Sequence, residues 1–316
     1  MNNFLVLGGT GFLGLSVCER LVERTGSGDA RVVVPTRHSQ RAAHLLPLPI
    51  IEVAPWNPDD DAQLERLVHR RDAVINLVGV LHGSEAEFRR VHGDLPARLA
   101  RACAAQGVPR IVHVSALGAD AGAPSMYLRS KAAGEAALLG GPVDTVILRP
   151  SVMFGEHDRL MNRFAALQRV FPVMPLPCAG ARFQPVWVDD VAAAVVRALD
   201  LRQGETFECV GPAVYTLRQL VELAGQWSGH PRWVWPLPPA LGRLQASLLE
   251  RLPGEPMMSR DNLASMQVPN VATGRLPTLA KLGIAPRALE SVMPDLLAWR
   301  SGPARLDSWR ALAHRQ

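Results

Sequence analysis

Three observations predict an α/β fold built on a doubly wound parallel sheet. Short apolar runs recur through the first 150 residues. A stretch with helical apolar spacing follows most of them. The first run leads directly into a glycine-rich turn and then a helical pattern. That order of strand, turn and helix cradles the pyrophosphate of a dinucleotide.

The elements follow in sequence. Phe4-Leu5-Val6-Leu7 is the first strand, and Leu13, Val17 and Leu21 share one face of the first helix. Arg31 to Val34 and Pro49 to Val53 are the next strands, and Leu64, Leu67 and Val68 mark a helix after three aspartates. Ala73 to Leu77 is a fourth strand, followed by a helix through Leu95, Leu99 and Cys103. Ile111 to Val114, a helix from Tyr127 to Leu139, and Val143 to Leu148 complete the series. Strands alternating with helices predict a parallel Rossmann sheet.

Beyond Pro150 the pattern loosens and prolines thicken. Short strands are expected at Val186-Trp187-Val188 and Thr206-Phe207-Glu208, and helices at Asp189 to Leu199 and Leu217 to Trp227. Asp189 and Asp190 read as a helix cap and a first-turn acid. The expected division is a dinucleotide-binding Rossmann domain over 1–150. A smaller, mixed C-terminal region over 151–316 packs on the sheet edge and serves a substrate or partner.

Composition narrows the function. The 316 residues carry a net charge of +5, and 48% are apolar. Arginine dominates lysine and is spread along the chain, with no basic block interleaved with aromatics, so nucleic-acid binding is not expected. No apolar run is long enough to span a membrane as a helix. Met1 stands close before the first strand, so a signal peptide is not expected. Cys18, Cys103, Cys178 and Cys209 are scattered, and read as free thiols in a reducing cytoplasm. No metal-ligand pattern is visible.

The glycine turn, Gly8-Gly9-Thr10-Gly11-Phe12-Leu13-Gly14, fits two registers. Gly9, Gly11 and Gly14 satisfy one; Gly8, Gly11 and Gly14 satisfy the other, which the partner motifs favour. In either, one glycine makes the turn, one admits the phosphates, and one lets helix and strand approach. The N–H groups opening the helix, from Gly11 through Phe12 and Leu13, face the anion. At the end of the second strand, where an acid would hold the ribose hydroxyls for NAD(H), the chain has Pro35-Thr36-Arg37. Arginine there accommodates a 2′-phosphate, so Arg37, assisted by Arg41, points to NADP(H), most simply NADPH.

Tyr127-Leu128-Arg129-Ser130-Lys131 places a phenol and an ammonium one helical turn apart. A phenol titrates near 10, and a neighbouring ammonium is expected to bring that value down. Ser115, at the end of the fifth strand, becomes a candidate to act with them through the superfamily resemblance given below. His157 and Asp158 are weaker candidates for a substrate role.

Together these motifs resemble the short-chain dehydrogenase/reductase superfamily in its extended or atypical branch. The resemblance covers nearly the whole chain. It implies that Val78 and Gly79 line the ribose, Asn57 the adenine side, and Pro150 with Ser151 the nicotinamide end. The strings YLRSKAAGE (127–135), RPSVMFGEHDRLMNRFA (149–165) and QPVWVDDVA (184–192) resemble more closely the NADPH-binding accessory subunit family of respiratory complex I, alpha-subcomplex subunit nine. Bacterial relatives of that family are epimerase/dehydratase-like. It implies a tightly held dinucleotide without turnover.

Two departures from the catalytic pattern of the superfamily stand out. Leu117 occupies the position of the last strand-end hydroxyl, and His92 the position of a lysine-supporting asparagine. Two functions therefore compete: a structural or sensing NADP(H) binder serving a respiratory or quinone-related membrane complex, and an epimerase, dehydratase or reductase using Tyr127 and Lys131. A further segment, 232–251, sets Trp233 and Trp235 before Leu241, Leu244, Leu248 and Leu249, among Arg232, Arg243 and Arg251. It reads either as a peripheral membrane contact at the inner face or as a proline-rich connector followed by a core-facing helix.

Overall fold

The computed structural model describes residues 1–26, 30–251, 254 and 256–298, with the side chain of Arg41 excepted. Two compact units are formed. The first takes Met1–Pro150 and adds two later segments, Val188–Val210 and Ala272–Ala285, that lie in the region expected to be C-terminal. The second takes Ser151–Trp187, Gly211–Val271 and the chain from Pro286.

The first unit is built on β1 (Asn3–Leu7), β2 (Arg31–Thr36), β3 (Ile51–Pro55), β4 (Ala73–Asn76), β5 (Arg110–Val114), β6 (Asp144–Pro150) and β7 (Thr206–Cys209). All pairings are parallel, in the order β7-β6-β5-β4-β1-β2-β3. Sequence order reverses between β1 and β4, and ligands of such sheets bind at the carboxyl ends of strands at that switch. Thr206–Cys209 thus becomes the seventh strand of the main sheet, pairing Thr206 with Ile147, instead of a short piece of the C-terminal region. Buried Phe207 explains the choice, because it fits a central sheet better than a surface ribbon.

Apart from the edge strand β3, the strands are buried on both faces, which is why they read as apolar runs without alternation. On one face Leu5, Leu7, Val74, Ile111 and Ile147 pack with helices α2 (Asp61–Val68), α3 (Leu95–Ala105) and α4 (Met126–Leu139) through Leu64, Leu99, Cys103 and Leu138. The intervening residues point the other way, toward α1 (Phe12–Thr25) and α5 (Val188–Ala198). Arg24 joins these two helices, donating to Val196 O at 3.2 Å and to Asp200 at 2.6 Å. Asp189 and Asp190 both fall inside the first turn of α5. Asp60 caps α2 through Gln63 N–H, and Ser125 caps α4 through Leu128 N–H. Buried Glu208 accepts from the Thr273 N–H and hydroxyl, both at 2.8 Å, and so fastens the last segment of this unit to β7.

The second unit has helices at Leu160–Val170, Leu217–Trp227, Pro239–Leu249, Arg260–Ser265 and Met293–Ala298. Three two-stranded ribbons accompany them, among them the parallel pair Val173–Leu176 and Trp233–Pro236. Asn270 Oδ1 accepts from Ser151 Oγ at 2.6 Å and from Val152 N–H at 3.0 Å, which ties the start of this unit's first segment to the end of its second. Among the described residues, no helix is long and apolar enough to cross a membrane.

The start of α1 is tightly packed at Gly14, where an added Cβ would lie 2.4 Å from the backbone C and O of Gly9. Neither neighbour is a flexible side chain. Gly14→Ala is therefore expected to lower the unfolding free energy by about 1–3 kcal/mol, read by urea denaturation. Unchanged stability would show that α1 is free to shift.

Candidate functional site

The site begins at the C-terminal end of β1. Gly8 has φ +81°, a left-handed conformation that lets the chain turn, and its Cβ would lie 3.0 Å from Leu77 C and Val78 N. Gly9 sits beneath Val34, which a Cβ would meet at 2.7 Å, so its role is packing against β2. Gly11 caps α1. A Cβ there would meet only Gly8 O, at 3.3 Å, and otherwise points into open space. These differences match the Gly8, Gly11, Gly14 register.

Helix α1 starts without a side-chain cap and without an acid in its first turn. Its first N–H groups have no partner within the helix by construction. The local charge is the positive end of the helix dipole. An open cradle at Gly11, an uncapped helix start and a turn seated on the β4 loop fit a dinucleotide pyrophosphate. Thr10, Phe12 and Leu13 lie in this turn, where their backbones can contribute.

Toward β3, Arg37 follows β2 directly and is exposed. Arg41 lies in a short helix, Ser39–Leu45, and its side chain is outside the described residues. Asn57 is also exposed, but its Oδ1 already accepts from Asp59 N–H at 3.1 Å, shaping the turn that enters α2.

Toward β6, several groups converge. Val78 and Gly79 leave β4, and a Cβ on Gly79 would lie 3.4 Å from Lys131 Nζ and 3.5 Å from His92 Nε2. His92 sits in a π-helical turn, Arg89–Asp94, between two α-helical stretches; such bulges are frequent at functional sites. Its Nε2 accepts from Val80 N–H at 3.0 Å, so the proton lies on Nδ1, which donates to Ser130 Oγ at 2.8 Å. The imidazole thus staples the β4 loop to α4. Burial, reinforced by the Lys131 charge, lowers its pKa to about 3, so it is a neutral ring at neutral pH.

Lys131 is buried and donates to Val114 O at 3.0 Å. Burial lowers its pKa to about 8, against the opposing effect of Glu135, which is itself paired with Arg149. Tyr127 is half-buried, with its ring edge-on to His92. The expected fall in the phenol pKa does not occur: desolvation pushes Tyr127 up to about 12. Ser115 is buried and its Oγ has no hydrogen-bond partner, while Leu117 is buried at the position where a hydroxyl was expected.

Two predicted residues have other commitments. Pro150 ends β6, and its carbonyl accepts from Leu117 N–H at 2.9 Å. Ser151 belongs to the second unit and spends its hydroxyl on Asn270. Within that unit His157 is exposed, and buried Asp158 accepts from Met161 N–H at 2.7 Å at the start of the helix Leu160–Val170. Sequence reading missed Asn76 and His113. Asn76 Oδ1 accepts from Val78 N–H at 3.2 Å and its amide donates to His113 Nδ1 at 3.1 Å, so His113 carries its proton on Nε2, which has no partner. Two polar residues facing each other on adjacent apolar strands were the available signal.

The buried imidazoles predict an acid-side stability slope. Folded His92 has a pKa of about 3, below an unfolded value near 6.5, and His113 is lowered in the same direction by burial. As pH falls through about 6.5 the unfolded state takes up protons that the folded state refuses, so stability falls. His92→Asn should flatten that slope between roughly pH 6 and 4 by about 1.4 kcal/mol per pH unit. Urea denaturation across that range measures it, and an unchanged slope would place a charged His92 in the native protein.

Comparison with known proteins agrees with the fold. Residues 4–209 match the NAD dependent epimerase/dehydratase family. The chain is 32% identical over 297 residues to the NADH dehydrogenase [ubiquinone] 1 alpha subcomplex subunit 9 of Rattus norvegicus, covering 90% of this chain and 77% of that protein. It is 28% identical over 316 residues to the Arabidopsis thaliana protein of the same name, covering 94% and 78%. In fold it is similar to an NADPH-dependent quinone oxidoreductase of Escherichia coli complexed with NADPH, with TM-score 0.72, 20% identity, and 92% and 98% of the two chains covered. It is similar also to the UDP-glucose 4-epimerase of Thermotoga maritima, with TM-score 0.69, 19% identity, and 97% and 99% covered. The cofactor class is a nicotinamide dinucleotide, and the chain belongs to the NAD dependent epimerase/dehydratase family.

Proposed function

We propose that this chain is an NADP(H)-binding protein with little or no turnover, holding NADPH as a structural or sensing ligand within a membrane-bound respiratory or quinone-related assembly. One observation carries the reading. The dinucleotide cradle is complete, while the proton-transfer apparatus beside it is detuned: Tyr127 is pushed up to about 12 and Lys131 down to about 8. The phenol then lies far from the working pH that general acid–base catalysis favours, and a lysine that loses charge near pH 8 is a weaker electrostatic support for a phenolate. Leu117 removes a donor whose loss costs about 2.7–4 kcal/mol of transition-state stabilisation where a comparable oxyanion-hole donor is deleted.

The relatives named as NADH dehydrogenase alpha subcomplex subunit 9 support the assembly part of the reading. The reading also takes the protein to be cytoplasmic and to work peripherally at the inner face of the membrane, whereas the named relatives are mitochondrial. Arg37 supports NADPH over NADH, and the Gly8 and Gly11 positions support pyrophosphate binding to the start of α1. Val78 and Gly79 lie where a nicotinamide ribose would rest against Lys131.

A second reading, a slow reductase or epimerase of a small carbonyl or nucleotide-sugar substrate, is favoured by the unpartnered Ser115 Oγ beside the Tyr127 and Lys131 pair. Turnover decides between them. The binder reading expects rates far below the median enzyme value of about 10 per second with ketones, aldehydes, quinones and nucleotide sugars. Robust turnover that Tyr127→Phe abolishes would replace it with the enzyme reading.

Calorimetry tests the cofactor. NADPH should bind at least about tenfold more tightly than NADH, and Arg37→Ala should erase the preference, because a charge-assisted hydrogen bond contributes roughly 1.5–3 kcal/mol. Gly11→Val should fold, since a Cβ there meets only Gly8 O at 3.3 Å, which a small shift of the turn relieves, yet lose dinucleotide binding because its methyls fill the pyrophosphate position. A folded Gly11→Val protein with undiminished affinity would move the site elsewhere.

A further inference from the structure

We propose that the second unit docks on the surface of a bilayer carrying anionic phospholipid, through the outer face of the Trp233–Pro236 ribbon and the helix Pro239–Leu249. The proposal extends the membrane side of the functional reading and is independent of the dinucleotide.

The ribbon is apolar on both faces. Met174, Leu176 and Val234 point inward and join a buried cluster with Leu217 and Val221. Trp233 and Trp235 point outward, 64% and 47% exposed, with rings stacked at 6.4 Å and only 7° apart. The helix that follows has its small residues inside and its large ones outside. Gly242 packs on Pro177, where a Cβ would lie 2.7 Å away, and Ala246 is fully buried. Leu241, Leu244 and Leu248 are 46%, 57% and 55% exposed. The connector alternative required those leucines to face the core; they do not. A helix folded for its own unit puts the leucines in and the small residues out. This one is arranged for a second apolar phase.

Charge selects the occupant. No Asp or Glu occurs from Arg159 to Trp187 or from Leu223 to Leu249, the two segments that supply the ribbon and the helix. Arg169, Arg232, Arg243 and Arg251 are exposed there. Arg232 Nε donates to Gln168 O at 2.8 Å, which steadies its backbone end beside Trp233. The first acid after the helix, Glu250, is paired with Arg260 at 2.8 Å. A bilayer surface needs what this face offers: indole rings with an apolar body and a polar N–H tip, leucines to enter the acyl boundary, and guanidinium groups for phosphate. The lack of acids in these two segments also reduces repulsion from anionic lipid. The proposed contact is peripheral; among the described residues no helix is long and apolar enough to cross the membrane.

The test is sedimentation of the full chain with vesicles of phosphatidylcholine alone or with roughly one third phosphatidylglycerol. At about 0.05 M salt the protein should pellet with the anionic vesicles, and raising salt to about 0.5 M should release part of it. Leu241→Ser, Leu244→Ser and Leu248→Ser combined should weaken binding at least about tenfold. Arg169→Gln with Arg243→Gln should weaken it several-fold and reduce the salt dependence. All these positions are exposed, and an unchanged circular dichroism spectrum and melting midpoint keep loss of fold apart from loss of binding. Nitroxide-labelled lipid should quench tryptophan emission, and Trp233→Phe with Trp235→Phe should remove the quenching. Three results would overturn the proposal: protein wholly in the supernatant at low salt, equal binding by the triple leucine variant, or lipid-free dimers that this variant dissolves, which would assign the face to a second copy of the chain. Lipid binding by a protein that fails to bind NADPH would sink the cofactor reading and leave this one standing.

Discussion

The first unit depends on how closely α1 begins beside the end of β1. At Gly14 the helix backbone lies against the carbonyl carbon and oxygen of Gly9, with no room for a methyl group. Gly9 in turn lies under Val34, and Gly8 against the backbone of Leu77 and Val78. Three strands, β1, β2 and β4, are thus gauged by three missing side chains. The same contact aims the uncapped start of α1 across the switch point of the sheet. Close packing and anion binding are two results of one constraint, which is why a fourth glycine, Gly11, contributes nothing to packing and is left facing outward.

Beside this cradle lies a polar cluster held mostly by neutral groups. His92 fixes the β4 loop to α4, and Asn76 fixes the same loop to β5 through His113. Lys131 is anchored on Val114 O. Burial disfavours charge on His92, His113, Lys131 and Tyr127, and the low-dielectric setting makes each hydrogen bond count more as a positioning device. A rigid loop that presents backbone to a ribose is well served by such a cluster. A proton donor that must cycle with substrate is not.

The central sheet was legible because parallel strands buried on both faces read as apolar runs, and because glycine, strand and helix fall in fixed order at residues 4–21. Tyr127 and Lys131 were legible from spacing, and Lys131 more so because the chain otherwise carries its positive charge almost entirely on arginine. The place of Thr206–Cys209 was not legible: a four-residue strand has too little pattern to show which sheet it joins, and its partner β6 lies far upstream. Ser151 and Asn57 failed to show their commitments because a side-chain hydrogen bond to Asn270, or to a neighbouring backbone N–H, leaves no periodic trace. The tyrosine pKa went the wrong way for a related reason. Spacing revealed the neighbouring ammonium but not the depth of burial, and burial dominates.

The interleaving of the two units governs the order in which the chain can finish folding. Strand β7 closes the β6 edge, and the Glu208 to Thr273 hydrogen bonds hold a segment that ends at Ala285. During synthesis the first 150 residues emerge with β6 as an open edge, its backbone groups unpaired and able to recruit strands from other chains. Strand β7 arrives some fifty residues later, and the Thr273 segment only after most of the second unit has been made. Sheet completion is therefore a long-range, late event, with the slow closure expected of pairings distant in sequence. A nascent chain of this kind has its greatest need of chaperone cover in the interval between Pro150 and Cys209.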